Sequence, residues 1–314
     1  MEKSLFPLVS IGVASFNNAK YIVETLDSVK NSDYPNIEII VVDDKSTDNS
    51  VEVIQNWFNY NLGTNGRLIQ HNVNKGLCHA CNTIITNAKG EFVSVLGSDD
   101  LYVADKISKQ VLLFQKSKNN LGVIFGEVDH INGLGQLIDA PVVWPPGQSG
   151  DVFLPLLKVN FIPAMSALVR RSCYDKVGLY DEELAFEDWD MWLRIAREYQ
   201  FIYMPQVIAR YRIHDNSFTF RRRQQMLESS LRLLQKHRGH SPDADRLIAG
   251  HTRQFAESLY QIGSTQAHYW LRRAVSQSPD ILGISLLAMA TLGIPPGKLG
   301  QIKKRIQVII SNKS

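Results

Sequence analysis

Two short apolar runs in this chain each close on a pair of aspartates. IEIIVVDDKSTD reaches Asp43 and Asp44, and EFVSVLGSDD reaches Asp99 and Asp100. Runs this short and this rich in Val and Ile, with no polar alternation, are expected of strands buried on both faces, as in a parallel sheet covered by helices. The carboxylates then fall where strands leave the sheet, the edge at which open α/β sheets bind ligands. Two acidic pairs on one such edge point to a metal and nucleotide site.

The surrounding pattern alternates in the same sense. Strands are expected over 8–14, 37–42, 67–71 and 92–96. Helices are expected over about 20–30, 48–58 (capped by Ser46 or Thr47), 77–88 and 104–116. This βα alternation predicts a mainly parallel sheet flanked by helices. Residues 121–138 read as two strands around a turn at 132–135, and 140–147 as a proline-rich loop shaping a pocket. A strand is predicted over 165–171, a helix over 187–199, and two short strands over 201–214 broken at Pro205. From about 217 onward the pattern is helical.

Composition excludes several classes. With 314 residues, 44% hydrophobic and 21% charged, the chain can build a main core and an appended smaller unit. A formal charge of +3 is too small for a bulk nucleic-acid binder. The first residues, MEKSLFPLVSIGVASFNN, lack the pattern of a signal peptide, so a cytoplasmic location is expected. Three cysteines give no disulfide framework. Cys78 and Cys81 form a CxxC around His79, but with no second ligand pair at finger spacing they read as small packing residues in the first turn of a helix.

Taken in order, VSIGVASFNNAKYIVETLDSV, IEIIVVDDKSTDNS, NKGLCHACNTIITNAKGEFVSVLGSDD, EDWDMWLR and YRIHDNS resemble the family 2 glycosyltransferases of the GT-A fold, over residues 8 to roughly 217. The resemblance implies a Rossmann-like, mainly parallel mixed sheet. The GT-A domain would span 1–216, with about 1–100 binding the nucleotide-sugar and about 101–216 forming the acceptor side, and a helical extension would occupy 217–314. It implies transfer of a sugar, most readily from a UDP-sugar, with inversion, aided by Mg²⁺ or Mn²⁺. The acceptor would be a saccharide or lipid-linked saccharide of cell-surface polysaccharide synthesis.

The resemblance also distributes roles. Asp44 would read the imide of a uracil-type base, with Ala14, Ser15 and Phe16 lining the base and ribose pocket. Asp100 would be the direct metal ligand and Asp99 would lie nearer the donor. Many relatives carry a further aspartate where this chain has Gly97, so the stretch is not a full D-x-D. His214 would return to the pyrophosphate and metal, with Arg212 as a charge clamp. On the residues alone, Lys75 and Gly76 open a helix whose free amides attract anions.

A base for the acceptor hydroxyl is expected within EDWDMWLRIAREY. Positions 188, 192, 195 and 199 share one helical stripe, so Asp188 heads a face of Trp192, Ile195 and Tyr199 that points into protein. Burial there would raise the carboxyl toward the range useful to a general base. Glu187 and Asp190 are the alternatives if the register slips.

Near the other end, ILGISLLAMATLGI is uncharged for 14 residues, too short to span a membrane, which takes about 20. KLGQIKKRIQVII then mixes basic and apolar positions. A peripheral anchor at the inner face of the membrane would use Lys298, Lys303, Lys304 and Arg305 with Ile302, Ile306 and Ile309 or Ile310. A helical hairpin packed on the main domain, or a homo-oligomer, explains the same stripe. Arg221 to Arg223 read as a solvated run. A nucleotidyltransferase or dinucleotide oxidoreductase would carry a glycine-rich loop where this chain has SFNNAKY. A non-catalytic nucleotide-sugar scaffold would keep Asp44 and tolerate loss of Asp188.

Overall fold

The computed structural model describes residues 6–117, 120–139, 144–214 and 223–298, and the chain divides into two compact units, Met1–Ser217 and Phe218–Ser314. In the first unit, β1 (Val9–Ser15), α1 (Ile22–Lys30), β2 (Ile37–Asp43), α2 (Ser50–Tyr60), β3 (Gly66–Gln70), α3 (Leu77–Asn87) and β4 (Phe92–Gly97) alternate as the apolar periodicity predicts. β5 (Leu101–Tyr102), α4 (Lys106–Lys116), β6 (Leu121–Ile131), α5 (Phe153–Lys158), β7 (Leu168–Arg170), α6 (Arg171–Val177), α7 (Asp188–Ala196) and β8 (Gln200–Arg212) follow.

The eight strands form one mixed sheet ordered β3-β2-β1-β4-β7-β6-β8-β5. β1 pairs in parallel with β2 on one side and β4 on the other, so the chain reverses its direction of travel across the sheet at β1. That reversal opens a crevice at the strands' carboxyl ends, where open α/β sheets take their ligands. The register Ser15↔Asp43 and Ala14↔Gly97 brings both acidic runs to that crevice. β1 and most of β2 are buried on both faces, as continuous Val/Ile runs require. Gly12 lets α3 settle on β1, since a Cβ there would meet Ile84 Cγ2 at 2.1 Å.

Three expectations change. The paired strands around 132–135 reduce to β6 and one bridge, Ile131↔Leu137, because Leu134 and Leu137 are exposed and bury no second face. The break at Pro205 is a bulge inside one continuous β8: Met204 pairs Gly126 and Val207 pairs Glu127, so the residue that cannot donate to the ladder stands outside it. The strand over 165–171 shortens to β7, because Ala164–Ser166 turns as a 3-10 helix and α6 begins at Arg171. Helices α5 and α6 are too short to leave a clear 3.6 period, and both went unread.

In the second unit, the described residues form helices Arg223–Lys236, Pro242–Gln261, Ala267–Gln277 and Ile281–Thr291. They share a core of Leu231, Leu259, Trp270, Leu271, Leu286 and Met289. No described helix is long and apolar enough to cross a membrane. Lys303, Lys304, Arg305 and the isoleucines from Ile302 to Ile310 lie outside the described residues, as do Arg221, Arg222 and positions 140–143 of the proline-rich loop.

Candidate functional site

The loops leaving β1 and β2 are stitched together by side chains at the crevice. Asn17 and Lys45, both non-glycine, sit at φ 53° and 64°, in a region that L residues adopt only when neighbours fix them. Asn17 Oδ1 accepts from the Thr47 amide at 2.7 Å, and the Asn17 amide donates to Ser46 Oγ at 2.9 Å. Asp43 accepts from the Ser46 amide and hydroxyl at 2.8 and 2.5 Å, a loop-holding task. Ala14 and Ser15 are buried at the end of β1, while Phe16 is 46% exposed and offers an open ring face at the crevice mouth.

Asp44 is 3% exposed and closes the start of α3. Its carboxylate accepts from His71 Nδ1 at 2.8 Å, from the Lys75 amide at 3.1 Å to each oxygen, and from the Gly76 amide at 2.7 Å. A carboxylate at a helix N-terminus satisfies free amides and complements the dipole. Gly76, at φ 92°, supplies the turn that points those amides at Asp44. Lys75 thus contributes its backbone here, and its side chain is exposed. His71 Nε2 continues to Thr83 Oγ1 at 2.9 Å, and its ring meets His79 edge to face, centroids 4.9 Å apart.

The second acidic pair is split by the fold. Asp99 Oδ2 lies 3.0 Å from His214 Nε2. Asp100 is 4% exposed and turned inward, its Oδ1 accepting from the Arg212 amide at 2.9 Å. Desolvation first, then the charge of Asp99, pushes the Asp100 carboxyl well above its ordinary range. His214 was expected at the metal with Asp100; the structure sets it on Asp99 instead, because β8 runs past the loop with its amide, not its side chains, on Asp100. A Cβ at residue 97 would stand 2.9 Å from Asp99 Oδ1, so Gly97 gives the Asp99 carboxylate room to fold back over the loop.

Arg212 does not reach outward as a phosphate clamp. It is 1% exposed and its guanidinium binds the carbonyls of Asp99 at 2.7 Å and Asn132 at 3.2 Å, and the Glu24 carboxylate at 2.7 Å, over the Tyr21 ring. The same Tyr21 ring packs on His214, centroids 5.0 Å apart.

A divalent cation fits the Asp99 and His214 pair. Their 3.0 Å contact is a hydrogen bond, and the same carboxylate oxygen and ring nitrogen are atoms that ligate divalent cations once the nitrogen is unprotonated. Among the described residues no three His, Cys, Asp or Glu side chains gather around one point. A cation here would therefore draw its other oxygens from phosphates and water, the usual habit of Mg²⁺.

The third carboxylate group opens α7. Asp188 Oδ2 accepts from Asn160 Nδ2 at 2.8 Å and Oδ1 from the Trp189 amide at 2.7 Å. Burial raises its carboxyl above the ordinary value. Glu187, pushed up to about 8 by desolvation and by the Asp188 charge, is the more perturbed neighbour. Glu187 also adds a small upward push to Asp100, so it lies within electrostatic reach of the acidic loop. Asp190 is drawn away from this group: it is buried and paired with Arg194 at 2.8 Å, one turn along the helix. The stripe of Trp192 and Ile195 is buried as the helical wheel predicts.

Glu187 carries a stability signature. A carboxyl raised when folded keeps a proton that the unfolded chain releases, so it costs stability as pH rises from about 4.5 to about 8. Glu187→Gln removes that cost. The variant's thermal midpoint is expected to match wild type near pH 4 and exceed it at pH 8 to 9 by about 2–4 °C, allowing for partial exposure of the group. Equal midpoints across that range would contradict the assignment.

Asn160, Tyr21 and Glu24 have no local pattern that marks them: Asn160 meets Asp188 from another segment, and Tyr21 and Glu24 meet Arg212 from the far end of the domain sequence. Cys78 and Cys81 are free, buried thiols pushed up by desolvation, which suits packing and not redox chemistry.

Comparison with known proteins agrees with this architecture. The profile described as "Glycosyl transferase family 2" matches residues 10–178, and one described as "Glycosyltransferase like family 2" matches 148–235. An uncharacterized glycosyltransferase of Rickettsia felis is 34% identical over 212 residues, 66% of this chain and 34% of that protein. The match thus spans about a third of that relative's length. Among solved structures, S. aureus TarS 1–349 in complex with UDP-GlcNAc superposes with a TM-score of 0.68 at 17% identity, covering 93% of this chain and 85% of that one. A mannosyltransferase from Pyrobaculum calidifontis in complex with GDP-Man and Mn²⁺ gives 0.61 at 20% identity, covering 92% and 81%. At such identities the two structures speak for the fold. The profile match, covering more than half of the chain, carries the conclusion that this protein belongs to the family 2 glycosyltransferases.

Proposed function

We propose that the protein is an inverting glycosyltransferase that moves a sugar from a nucleotide-sugar to an acceptor hydroxyl. The observation that carries this reading is the acidic loop after β4, with Asp99 against His214, together with the partly buried Glu187 whose charge reaches Asp100 in that loop. Asp99 and His214 would hold a Mg²⁺ or Mn²⁺ ion, which would supply positive charge opposite the departing diphosphate. This replaces Asp100 by Asp99 as the ligand and leaves Asp100 to tie the loop to β8. Asp188 takes the proton of the attacking hydroxyl, and burial keeps its carboxyl raised toward the working range of a base.

The donor is proposed to be a UDP-sugar. The Asp44 carboxylate has about four acceptor sites, and His71, Lys75 and Gly76 already supply three donors. One remaining site suits the single imide N–H of uracil better than the two donors on guanine's edge. Ala14, Ser15 and the exposed ring of Phe16 form the rest of that pocket, and the α3 start with Lys75 and Gly76 borders it. TarS, with UDP-GlcNAc bound, supports that choice, and the mannosyltransferase complex with GDP-Man and Mn²⁺ supports the metal. A saccharide or lipid-linked saccharide of cell-surface polysaccharide synthesis is the proposed acceptor, met at the inner face of the membrane.

Thermal stabilisation by UDP-, GDP- and dTDP-sugars with and without Mn²⁺ tests the donor assignment, since a ligand bound only by the native state raises the midpoint by mass action. A Mn²⁺-dependent rise with UDP-sugars above GDP-sugars is expected. No rise with any nucleotide would contradict the donor site as assigned.

A further inference from the structure

We propose that Asn160 is a positioning residue for the Asp188 carboxylate, fixing its orientation and holding it ready to accept a proton. This deepens the proposed function and rests on Asp188 being the base. Asn160 lies on the segment that follows α5, 28 residues before Asp188, and its amide Nδ2 donates to Asp188 Oδ2 at 2.8 Å. The direction of that amide is fixed by its other end: Oδ1 accepts from the Ile162 amide at 3.2 Å, so the nitrogen must face the carboxylate.

The segment itself is pinned by buried side chains. Ser166 Oγ donates to the Pro163 carbonyl at 2.8 Å, and Gln110 Nε2 donates to the Ser166 carbonyl at 2.8 Å and the Ile124 carbonyl at 2.9 Å. Lys106 Nζ, fully buried, reaches Gln110 Oε1 at 2.9 Å and Ser94 Oγ at 3.1 Å. The network thus links strands β4 and β6 to the turn carrying Asn160. Asp188 is therefore aimed from outside its own helix.

Asp188 Oδ2 accepts from Asn160 and Oδ1 from the Trp189 amide, with the Asp188 amide a further donor, which still leaves carboxylate lone pairs for an incoming hydroxyl. A donor to a carboxylate favours its charged form, opposing the desolvation that raises it. Among the described residues no cation is found doing this work at Asp188. Glu187 precedes Asp188, and Asp190 is held by Arg194. Cys78, Cys81 and Tyr180 are pushed up by desolvation first, with the negative charge of Glu187 adding to it, and Asp181 adds negative charge at Cys78. On α5 Lys158 is exposed, and on α6 Lys176 pairs with Glu198 and Asp175 with Arg171. Asn160 is the neutral donor that takes the place of a counter-ion.

Two substitutions separate aiming from mere turn-holding. Asn160→Asp keeps the acceptor for Ile162 but replaces the donor by a second carboxylate, and Asn160→Leu removes both bonds. The carboxyl groups are titrated directly by ¹³C NMR on aspartate- and glutamate-labelled full-length protein, with Asp188→Asn and Glu187→Gln assigning the pair, which titrates with shared apparent values. Both Asn160 variants are expected to raise the Asp188 midpoint by about one unit or more. An unchanged midpoint in Asn160→Asp overturns the proposal, whatever happens to stability.

The second arm is UDP release from the UDP-sugar that stabilises the protein, followed against pH. In Asn160→Leu the acid limb of kcat/KM should move up by about one unit with the donor KM unchanged. If Asp188→Asn retains turnover, the base assignment itself fails. If Asp188→Asn is inactive and the acid limb of Asn160→Leu stays in place, only the role of Asn160 fails.

Discussion

Asp188→Asn is expected to lower kcat by about 10²–10⁴-fold, the usual contribution of a positioned general base, while donor binding stays within a factor of a few. Amide and carboxylate have the same shape, and Asn at 188 still accepts from the Trp189 amide that Asp188 engages at 2.7 Å. Its other end meets the Asn160 amide, now donor against donor or rotated. The protein should therefore fold, bind nucleotide and fail to transfer. Measurement of UDP release and of nucleotide-induced stabilisation on the same preparation separates these outcomes. Retention of more than a tenth of the wild-type rate would remove Asp188 from the role, and Glu187→Gln should then be the slow variant.

Arg212→Met is expected to cost about 1–3 kcal/mol of stability, the largest effect on folding anticipated at this edge. The guanidinium is fully buried and donates to two carbonyls, those of Asp99 and Asn132. Methionine fills similar volume but takes the donor from the Asp99 carbonyl, at about 1–3 kcal/mol before relaxation, while the Asn132 carbonyl keeps the Gly135 amide at 3.0 Å. The ion pair adds little, because Glu24 is largely exposed. Arg212→Lys should rescue only part, since one ammonium cannot reproduce a planar fork with several fixed donors. Urea unfolding followed at Trp fluorescence gives the number. A loss below about 0.5 kcal/mol would mean that the acidic loop does not depend on this anchor.

The fold was legible because burial on both faces writes itself into short Val/Ile runs. The βα alternation, the two acidic turns and the amphipathic helix at Asp188 all follow from local periodicity, and the structure carries them within a few residues. What remained unread depends on distant partners. His214 and Asp99 are 115 positions apart, and which of two adjacent aspartates meets the histidine is decided by the register of β8 beside the loop, not by the sequence SDD itself. Arg212 looks in sequence like any charged residue before a histidine, and only the packing of Tyr21, Glu24 and Asn132 around it makes it an internal strut. Pro205 misled for a physical reason: a missing N–H ends a ladder in an ordinary strand, but a bulge tolerates it.

The central claim is that a cation is held between Asp99 and His214 with a nucleotide diphosphate, and Mn²⁺ binding in the presence of UDP tests it most directly. Free Mn²⁺ is counted by its electron paramagnetic resonance signal as protein is added. Wild type and Asp100→Asn should both deplete the free ion, because Asn at 100 can still accept the Arg212 amide that Asp100 engages at 2.9 Å. Asp99→Asn and His214→Ala should each weaken binding at least about tenfold, the lower end expected for loss of a ligand or its support. Loss of Mn²⁺ binding in Asp100→Asn, with Asp99→Asn unaffected, would contradict the account.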